Sequence, residues 1–433
     1  MRISYCSLGC KVNLYETAAI INEFVEKGYK LVDFNEVSDI YIINTCTVTA
    51  TADAKSRKMI RQAVKKNPEA VVAVMGCFSQ LNADIVKSIP GVDIVLGTSN
   101  RHKLLKLIEE CLVNNKKSCY ITDYKDIKEY EELKVSHFTN KTRGFVKIQD
   151  GCNNFCSYCV IPYARGQIRS RKGEDVIAEV AILTAQGMKE IVLTGINTGT
   201  YGQDLSNYTL SNLLEDIAKK VPNLGRLRIS SIEATEISDE LLQTMSENRQ
   251  HFCLHLHVPL QGGADNVLKR MNRKYDISYF REKIAKIRAY FPDINITTDC
   301  LAGFNGETNE DFIATKDFIA EMNFGEMHVF PFSPRPKTKA YALDNPIDAV
   351  TKKNRVDELL ALNQSQALAY RKRFVGQVLA VIVEKNEQGL AFGHSSNYLE
   401  IEFPDETAKP NDLVLVKITK ANYPISKGVV SNE

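Results

Sequence analysis

Apolar residues fall in short unbroken runs in the first part of the chain: Arg2–Cys6, Asp39–Asn44 and Ala70–Met75, each rich in Ile or Val. Runs of that length without polar alternation are the pattern of strands buried on both faces, as in a parallel sheet. Helical periodicity appears between and after them, over Tyr15–Lys27, Thr51–Lys66 and Arg101–Val113. This alternation predicts an α/β parallel-sheet domain over residues 1–122. Residues 123–138 are charge-rich and predict a linker or a solvated helix.

From Lys141 the pattern becomes a regular strand–helix repeat. Strands are predicted at Phe145–Gln149, Glu190–Thr194, Arg226–Ser230, Leu254–Val258, Asn295–Asp299 and Glu326–Phe330. Helical stretches follow the first five, for instance Asp175–Gln186, Leu210–Lys220 and Asp311–Glu321. Six parallel βα units make a partial barrel, open on one side, with its site expected at the carboxyl ends of the strands. A long helix over 348–371 closes this second domain, residues 139–371. The period then drops to two: Gly376–Val383, Gly389–His394, Tyr398–Phe403, Leu413–Ile418 and a run near Val429 predict a small all-β barrel over 372–433.

Composition narrows the function classes. A chain of 433 residues is too long for one ordinary core. Its charge of +2 leaves no global basic excess, so any nucleic-acid contact must be local. The C-terminal module, from Arg371 on, carries eight cations and eight acids, so charge alone argues no RNA role for it. Eleven cysteines, an odd number with no leading apolar segment, argue against a disulfide framework and for a reducing, cytoplasmic location. No apolar run approaches membrane-spanning length, so no membrane partner is expected.

Two sets of cysteines carry candidate chemistry. Cys152-Asn153-Asn154-Phe155-Cys156-Ser157-Tyr158-Cys159 places three thiols on one short loop just after the first predicted barrel strand. Three are too few to close a tetrahedral zinc site, so a zinc knuckle would need a fourth ligand from elsewhere. Three suit a four-iron cubane whose fourth iron stays open for a substrate or cofactor. The second set is dispersed. Gly9-Cys10, Thr45-Cys46 and Gly76-Cys77 each stand just past a predicted strand. The carboxyl ends of parallel strands share one sheet edge, so these three thiols are expected to converge. Cys6, Cys111 and Cys119 lack that placement and read as structural.

Small and polar groups end the later barrel strands, among them Gly195, Asn197, Ser231 and Gln261. Beside the cysteine loop, Arg165, Arg169, Arg171 and Lys172 form a cationic segment with no acid, a candidate phosphate contact.

The CxxxCxxC spacing with Tyr158 before the third cysteine resembles the radical S-adenosylmethionine (SAM) superfamily. With Cys10, Cys46 and Cys77 added, the whole chain resembles its methylthiotransferase family. Further matches are Asn44-Thr45-Cys46-Thr47-Val48-Thr49, His257-Val258-Pro259-Leu260-Gln261-Gly262-Gly263 and Gly303-Phe304-Asn305-Gly306-Glu307-Thr308. The opening Leu8-Gly9-Cys10-Lys11-Val12-Asn13 most resembles the branch acting on N6-threonylcarbamoyladenosine in tRNA. Branches acting on isopentenyladenosine, or on an aspartate of a ribosomal protein, are the alternatives.

The resemblance implies an N-terminal domain with an auxiliary 4Fe-4S cluster on Cys10, Cys46 and Cys77. It implies a second 4Fe-4S cluster, which chelates SAM, on Cys152, Cys156 and Cys159, and a C-terminal TRAM domain. Tyr158, Gly195, Asn197, Ser231 and Gln261 are the expected cofactor contacts, although Thr194-Gly195-Ile196-Asn197 stands where the superfamily commonly has Gly-Gly-Glu. The implied partners are a tRNA anticodon stem-loop and an electron donor such as a flavodoxin or ferredoxin. In the implied reaction one SAM methylates a sulfur on the auxiliary cluster, and a second yields the radical that opens carbon 2 of the adenine to methylthio transfer. The substrate carboxylate calls for an arginine fork. Arg165, Arg169, Arg171 and above all Arg335 are the expected substrate-binding residues.

Overall fold

The N-terminal strands form one six-stranded, all-parallel sheet, in the order Lys30–Leu31, Arg2–Ser7, Ile40–Thr45, Val71–Gly76, Ile94–Leu96, Ser118–Tyr120. This computed structural model describes residues 1–138 and 142–431. The expected start of the barrel domain at 139 and the last two residues of the expected C-terminal module lie outside them. Ile40–Thr45 and Val71–Gly76 are buried at every position, as their unbroken apolar runs require. Their alternate side chains feed two cores, one on each face. Ile40 and Ile42 meet Ile20, Phe24 and Ile108; Tyr41 and Ile43 meet Ile60, Ala63 and Phe78. The outer strands at Ile94–Leu96 and Ser118–Tyr120 have three residues each, too few to show a period.

Residues 123–138 hold no helix, so of the two expectations, a linker or a solvated helix, the helix does not form. Leu133, Val135 and Phe138 are buried in the barrel's core together with Tyr15 of the first helix, Lys11–Glu26. The Tyr15 hydroxyl donates to the Leu133 carbonyl at 2.5 Å. Two of the segment's acids are paired, Glu131 with Arg101 at 2.8 Å and Glu132 with Arg171 at 2.7 Å, while Asp126, Lys128, Glu129 and Lys134 are exposed.

The central strands are Gly144–Lys147, Glu190–Thr194, Arg226–Ile229, His255–His257, Asn295–Ala302 and Glu326–Pro331. They pair in parallel as two sets of three, and bridges Leu227–Phe252 and Ser231–His257 join the sets into one curved wall. The wall does not close, and the first helix of the chain packs along its leading edge through Tyr15 and Ala19. The helix Ala349–Lys372 lies against the last strand.

The C-terminal residues form a closed five-stranded barrel, with Val378–Glu387, Leu390–Ser395, Glu400–Pro404, Ile425–Val430 and Leu413–Lys420 in spatial order. One of its turns seals the amino-end floor of the partial barrel. Ser396 accepts from Arg228 at 3.2 Å and from the Leu254 amide at 3.1 Å, and the Asn397 carbonyl accepts from Asn295 at 2.8 Å. Tyr398 stacks on His255 at 4.8 Å, with the guanidinium of Arg228 4.6 Å from its ring centre. No described helix is long and apolar enough to cross a membrane.

Candidate active site

Cys10, Cys46 and Cys77 stand just past three adjacent strands of the N-terminal sheet. Cys10 is the exposed N-cap of the first helix, Cys46 follows Ile40–Thr45, and Cys77 follows Val71–Gly76. Gly9, at φ +100°, lies so close that a side-chain carbon there would come within 3.0 Å of the Cys46 sulfur. Gly76, at φ +105°, makes the turn that delivers Cys77; both need the left-handed freedom of glycine. Cys10 is close enough to disfavour the ionisation of Cys46, and both disfavour that of Cys77. Burial pushes Cys77 up to about 12, against the pull of Arg165, whose Nε lies 3.4 Å from its sulfur.

The second triad is made by one loop. Gly151, at φ +76°, turns the chain out of the sheet, and the Cys152 amide donates to the Gly166 carbonyl at 3.0 Å. Across the mouth, the loop is pinned by the turn after Asp265–Arg270. Ser157 donates from its amide to Met271 at 2.9 Å and from its hydroxyl to Arg270 at 2.7 Å. All three cysteines are partly exposed. Burial raises Cys152 and Cys159 to about 12 each. These thiols are therefore protonated at neutral pH, and metal binding there must release their protons.

The donor chemistry fits an extended cluster better than one ion. Among the described residues, the three-ligand groups with all ligand atoms within 4.8 Å reduce to His257, Asp299 and His328. Neither cysteine triad is that compact. Thiolates on a single zinc would sit about 3.8 Å apart, given Zn–S bonds of about 2.3 Å, whereas a cubane spreads its three ligands over three irons.

Arg165 connects the triads. It ends the short helix Ile161–Arg165, which begins two residues after Cys159, and it is fully buried. Its guanidinium reaches Glu16 at 2.8 Å, Asp150 at 3.1 Å, Asn13 at 2.8 Å and the Cys77 sulfur. Lys147 adds bonds to Glu16 at 2.9 Å and Asp150 at 2.6 Å, and Arg101 pairs with Glu16. Burial alone would raise these carboxyls, but Arg101, Arg165 and Lys147 hold both well below the usual carboxylate range. A network of this kind locks the two domains in register because breaking one member strands a buried charge.

The four arginines expected to meet substrate are thus turned inward. Arg169 donates to backbone carbonyls of Arg165 and Gln167 and lies 3.6 Å from Asp150. Arg171 bonds Glu179 and Glu132. Arg335 bonds Thr47 at 3.0 Å and pairs with Asp53, tying the barrel to the loop after Cys46. A guanidinium held by a buried carboxylate offers neither a phosphate nor a substrate carboxylate its fork. The segment reads as cationic because its acids lie elsewhere in the chain.

Of the expected cofactor contacts, Tyr158 and Gln261 line one cavity of about 220 Å³ with Cys159, Asp299, Phe332 and Val48, where the two domains meet. Two larger clefts, of about 550 and 410 Å³, touch neither triad. Gly195 and Asn197 lie at the end of Glu190–Thr194, and Ser231 just past Arg226–Ile229. The Asn197 amide group is engaged by Glu236 at 2.8 Å. Glu236 is pushed up to about 8, chiefly by burial.

Residues without a local sequence signal complete the site. Arg273 lies 3.5 Å from the Cys156 sulfur and 3.3 Å from the Tyr158 hydroxyl, and pairs with Glu233. Desolvation, with Arg143 and Arg228, lowers Lys11, the residue after Cys10, to about 8. Only the fold brings these groups together.

Residues 2–97 match a family described as uncharacterized protein family UPF0004, and residues 146–319 match the Radical SAM superfamily. The chain is 42% identical to a threonylcarbamoyladenosine tRNA methylthiotransferase from Bacillus subtilis, over 98% of this chain and 95% of that protein. A protein of the same description from Aquifex aeolicus is 35% identical, over 93% and 96%. A tRNA-2-methylthio-N(6)-dimethylallyladenosine synthase from Desulfitobacterium hafniense is 33% identical, over 96% and 94%. Among solved structures, a radical SAM methyltransferase from Kitasatospora setae, with cobalamin and a [4Fe-4S] cluster bound, superposes with a TM-score of 0.59 at 15% identity. It covers 90% of this chain and 80% of that one, a likeness of fold.

Proposed function

The chain belongs to the radical-SAM methylthiotransferases, and on that premise we propose that it adds a methylthio group to carbon 2 of N6-threonylcarbamoyladenosine beside the anticodon of tRNA. The observation that carries this reading is the pairing of two incomplete cysteine triads across one interdomain contact, bridged by Arg165. The activity named for relatives at up to 42% identity over nearly the full chain supports the choice of nucleoside.

In this reading residues 1–122 form the methylthiotransferase domain, 123–138 a strap, 139–371 the radical-SAM domain and 372–433 a TRAM barrel that grips the tRNA. Cys10, Cys46 and Cys77 hold one 4Fe-4S cluster, and Cys152, Cys156 and Cys159 the other. When bound, the clusters and SAM supply the reducing electron, the radical and the methyl group. The protein's own residues position and balance charge. The Arg165 guanidinium beside Cys77 and Arg273 beside Cys156 offset thiolate charge at each triad. Tyr158 and Gln261 wall the cavity next to Cys159, and its largely apolar lining keeps water from the reacting carbon. The electron comes from a flavodoxin- or ferredoxin-type donor, and the enzyme works in the cytoplasm.

Nucleoside mass spectrometry tests the proposal. Anaerobically reconstituted protein, given SAM, reductant and threonylcarbamoylated tRNA, should yield the 2-methylthio derivative of that nucleoside. Methylthiolation of isopentenyladenosine tRNA alone would reassign the branch.

A further inference from the structure

Three neighbouring strands of the barrel wall bring open ligand atoms together. Thr297 pairs in register with His257, and Asp299 with His328, across the parallel strands His255–His257, Asn295–Ala302 and Glu326–Pro331. Alternate residues of a strand share a face, so all four side chains stand on one side of the wall. Asp299 lines the cavity of about 220 Å³ with Cys159 and Tyr158, which makes that side the inner one. One ligand atom from each of His257, Asp299 and His328 lies within 4.8 Å of the other two.

These three residues are oriented as metal ligands are. His257 Nδ1 lies 2.9 Å from the Thr297 hydroxyl, which fixes the ring and turns Nε2 toward Asp299 at 3.3 Å. A ligating histidine is commonly held in this way through its other nitrogen. The Asp299 carboxylate accepts no hydrogen bond from a described residue, and His328 makes neither a hydrogen bond nor an ion pair with one. Two imidazoles and one carboxylate suit a divalent zinc, iron or cobalt ion and leave coordination positions open. None of the six cluster cysteines belongs to this group.

A substrate that carries a carboxylate into this cavity needs such an ion. Losing water there, the carboxylate calls for a positive partner. Arg165, Arg169, Arg171 and Arg335 are already engaged by the protein's own acids and carbonyls. Asp299 on the cavity wall would repel a second carboxylate, whereas a divalent ion between the two carries charge enough for both. Resting on the function proposed above, we propose that His257, Asp299 and His328 hold one divalent transition-metal ion, whose open position takes the carboxylate of the threonylcarbamoyl side chain.

Full-length wild type, reconstituted anaerobically, is compared at matched iron content with H328A, D299A and H328D in equilibrium dialysis against Co2+. Wild type should take up about one cobalt per chain without losing iron, and H328D, which keeps a ligand, should stay near it. H328A, at an exposed position, and D299A should bind cobalt at least roughly tenfold more weakly, since even a residue that only supports a ligand is worth that much. Cobalt-loaded wild type should show a KM about tenfold lower for tRNA bearing the threonylcarbamoyl acid than for its uncharged carboxamide, and H328A should bring that ratio to about one. No cobalt uptake, or equal uptake by wild type, H328A and D299A, overturns the metal site. Wild type that binds cobalt yet treats acid and amide alike overturns the carboxylate contact. Cobalt binding that H328A loses, with no methylthiolation of either tRNA, overturns the proposed function and leaves the metal site standing.

Discussion

The two cysteine triads reach similar ends by opposite routes. Cys152, Cys156 and Cys159 sit within eight residues on one loop, so chain connectivity alone keeps them near one another. Cys10, Cys46 and Cys77 come from three strand ends, and only the stacking of Arg2–Ser7, Ile40–Thr45 and Val71–Gly76 brings them together. A local site tolerates loosening of its surroundings. A dispersed site fails with its sheet. The first triad is pinned by Ser157 to a neighbouring turn, while the second also depends on a barrel residue, Arg165.

The largest expected effect separates the triads by role. Replacing Cys152, Cys156 and Cys159 together by Ala should abolish 5′-deoxyadenosine formation. The corresponding Cys10, Cys46 and Cys77 variant should still cleave SAM but form no methylthiolated tRNA. Methylthiolated product from that second variant would end the distinction. Iron content gives the same contrast by mass: about eight irons in wild type and about four in each triple variant, if each triad holds a cubane. Wild type that saturates near four would remove one site.

Glu16→Gln sharpens the comparison at the contact between the domains. Its carboxylate faces Arg101, Arg165 and Lys147 with no exposure. Its loss should destabilise the protein by about 3–5 kcal/mol, the range for breaking a buried ion pair, in denaturant titration of the apo form. A folded-state pKa below the unfolded value means stability that is complete above about pH 4.5 and is lost as pH falls through the folded value. The gap between wild type and Glu16→Gln should therefore narrow on acidification below pH 4.5. A gap independent of pH would show that the charge is not what matters.

The smallest effect concerns Glu236 beside the loop triad. Its pKa of about 8 exceeds its unfolded value of 4.5, so the folded form keeps a proton that the unfolded chain has released between those limits. This costs stability as pH rises from 4.5 to 8. Glu236→Gln should raise Tm by about 2 °C at pH 8 and leave it unchanged near pH 4.5. An equal shift at both values would point to packing instead.

Much of the frame was legible before folding. The apolar runs located three neighbouring strands of the first sheet, two of which, Ile40–Thr45 and Val71–Gly76, are buried on both faces and so carry no polar alternation. Cysteines just past those runs, Cys10, Cys46 and Cys77, located the dispersed triad through a rule of parallel sheets. The three-residue strands carried too little pattern to register. The segment at 123–138 was legible only in part: Asp126, Lys128, Glu129 and Lys134 are exposed as charge density suggests, but Leu133, Val135 and Phe138 are buried and Glu131 and Glu132 are matched by Arg101 and Arg171.

By itself the sequence determined the periodicities, the three architectures in order, and the cysteines standing where a cluster could be held. Those are local properties, set by a residue and its near neighbours. Tertiary structure alone decided the fate of each charge. Arg165, Arg171 and Arg335 are cations in a basic or proline-rich stretch until Glu16, Glu179 and Asp53 arrive to neutralise them. Whether a charge is buried, paired or free depends on which distant segment folds against it, and the low dielectric of the interior makes that pairing decisive.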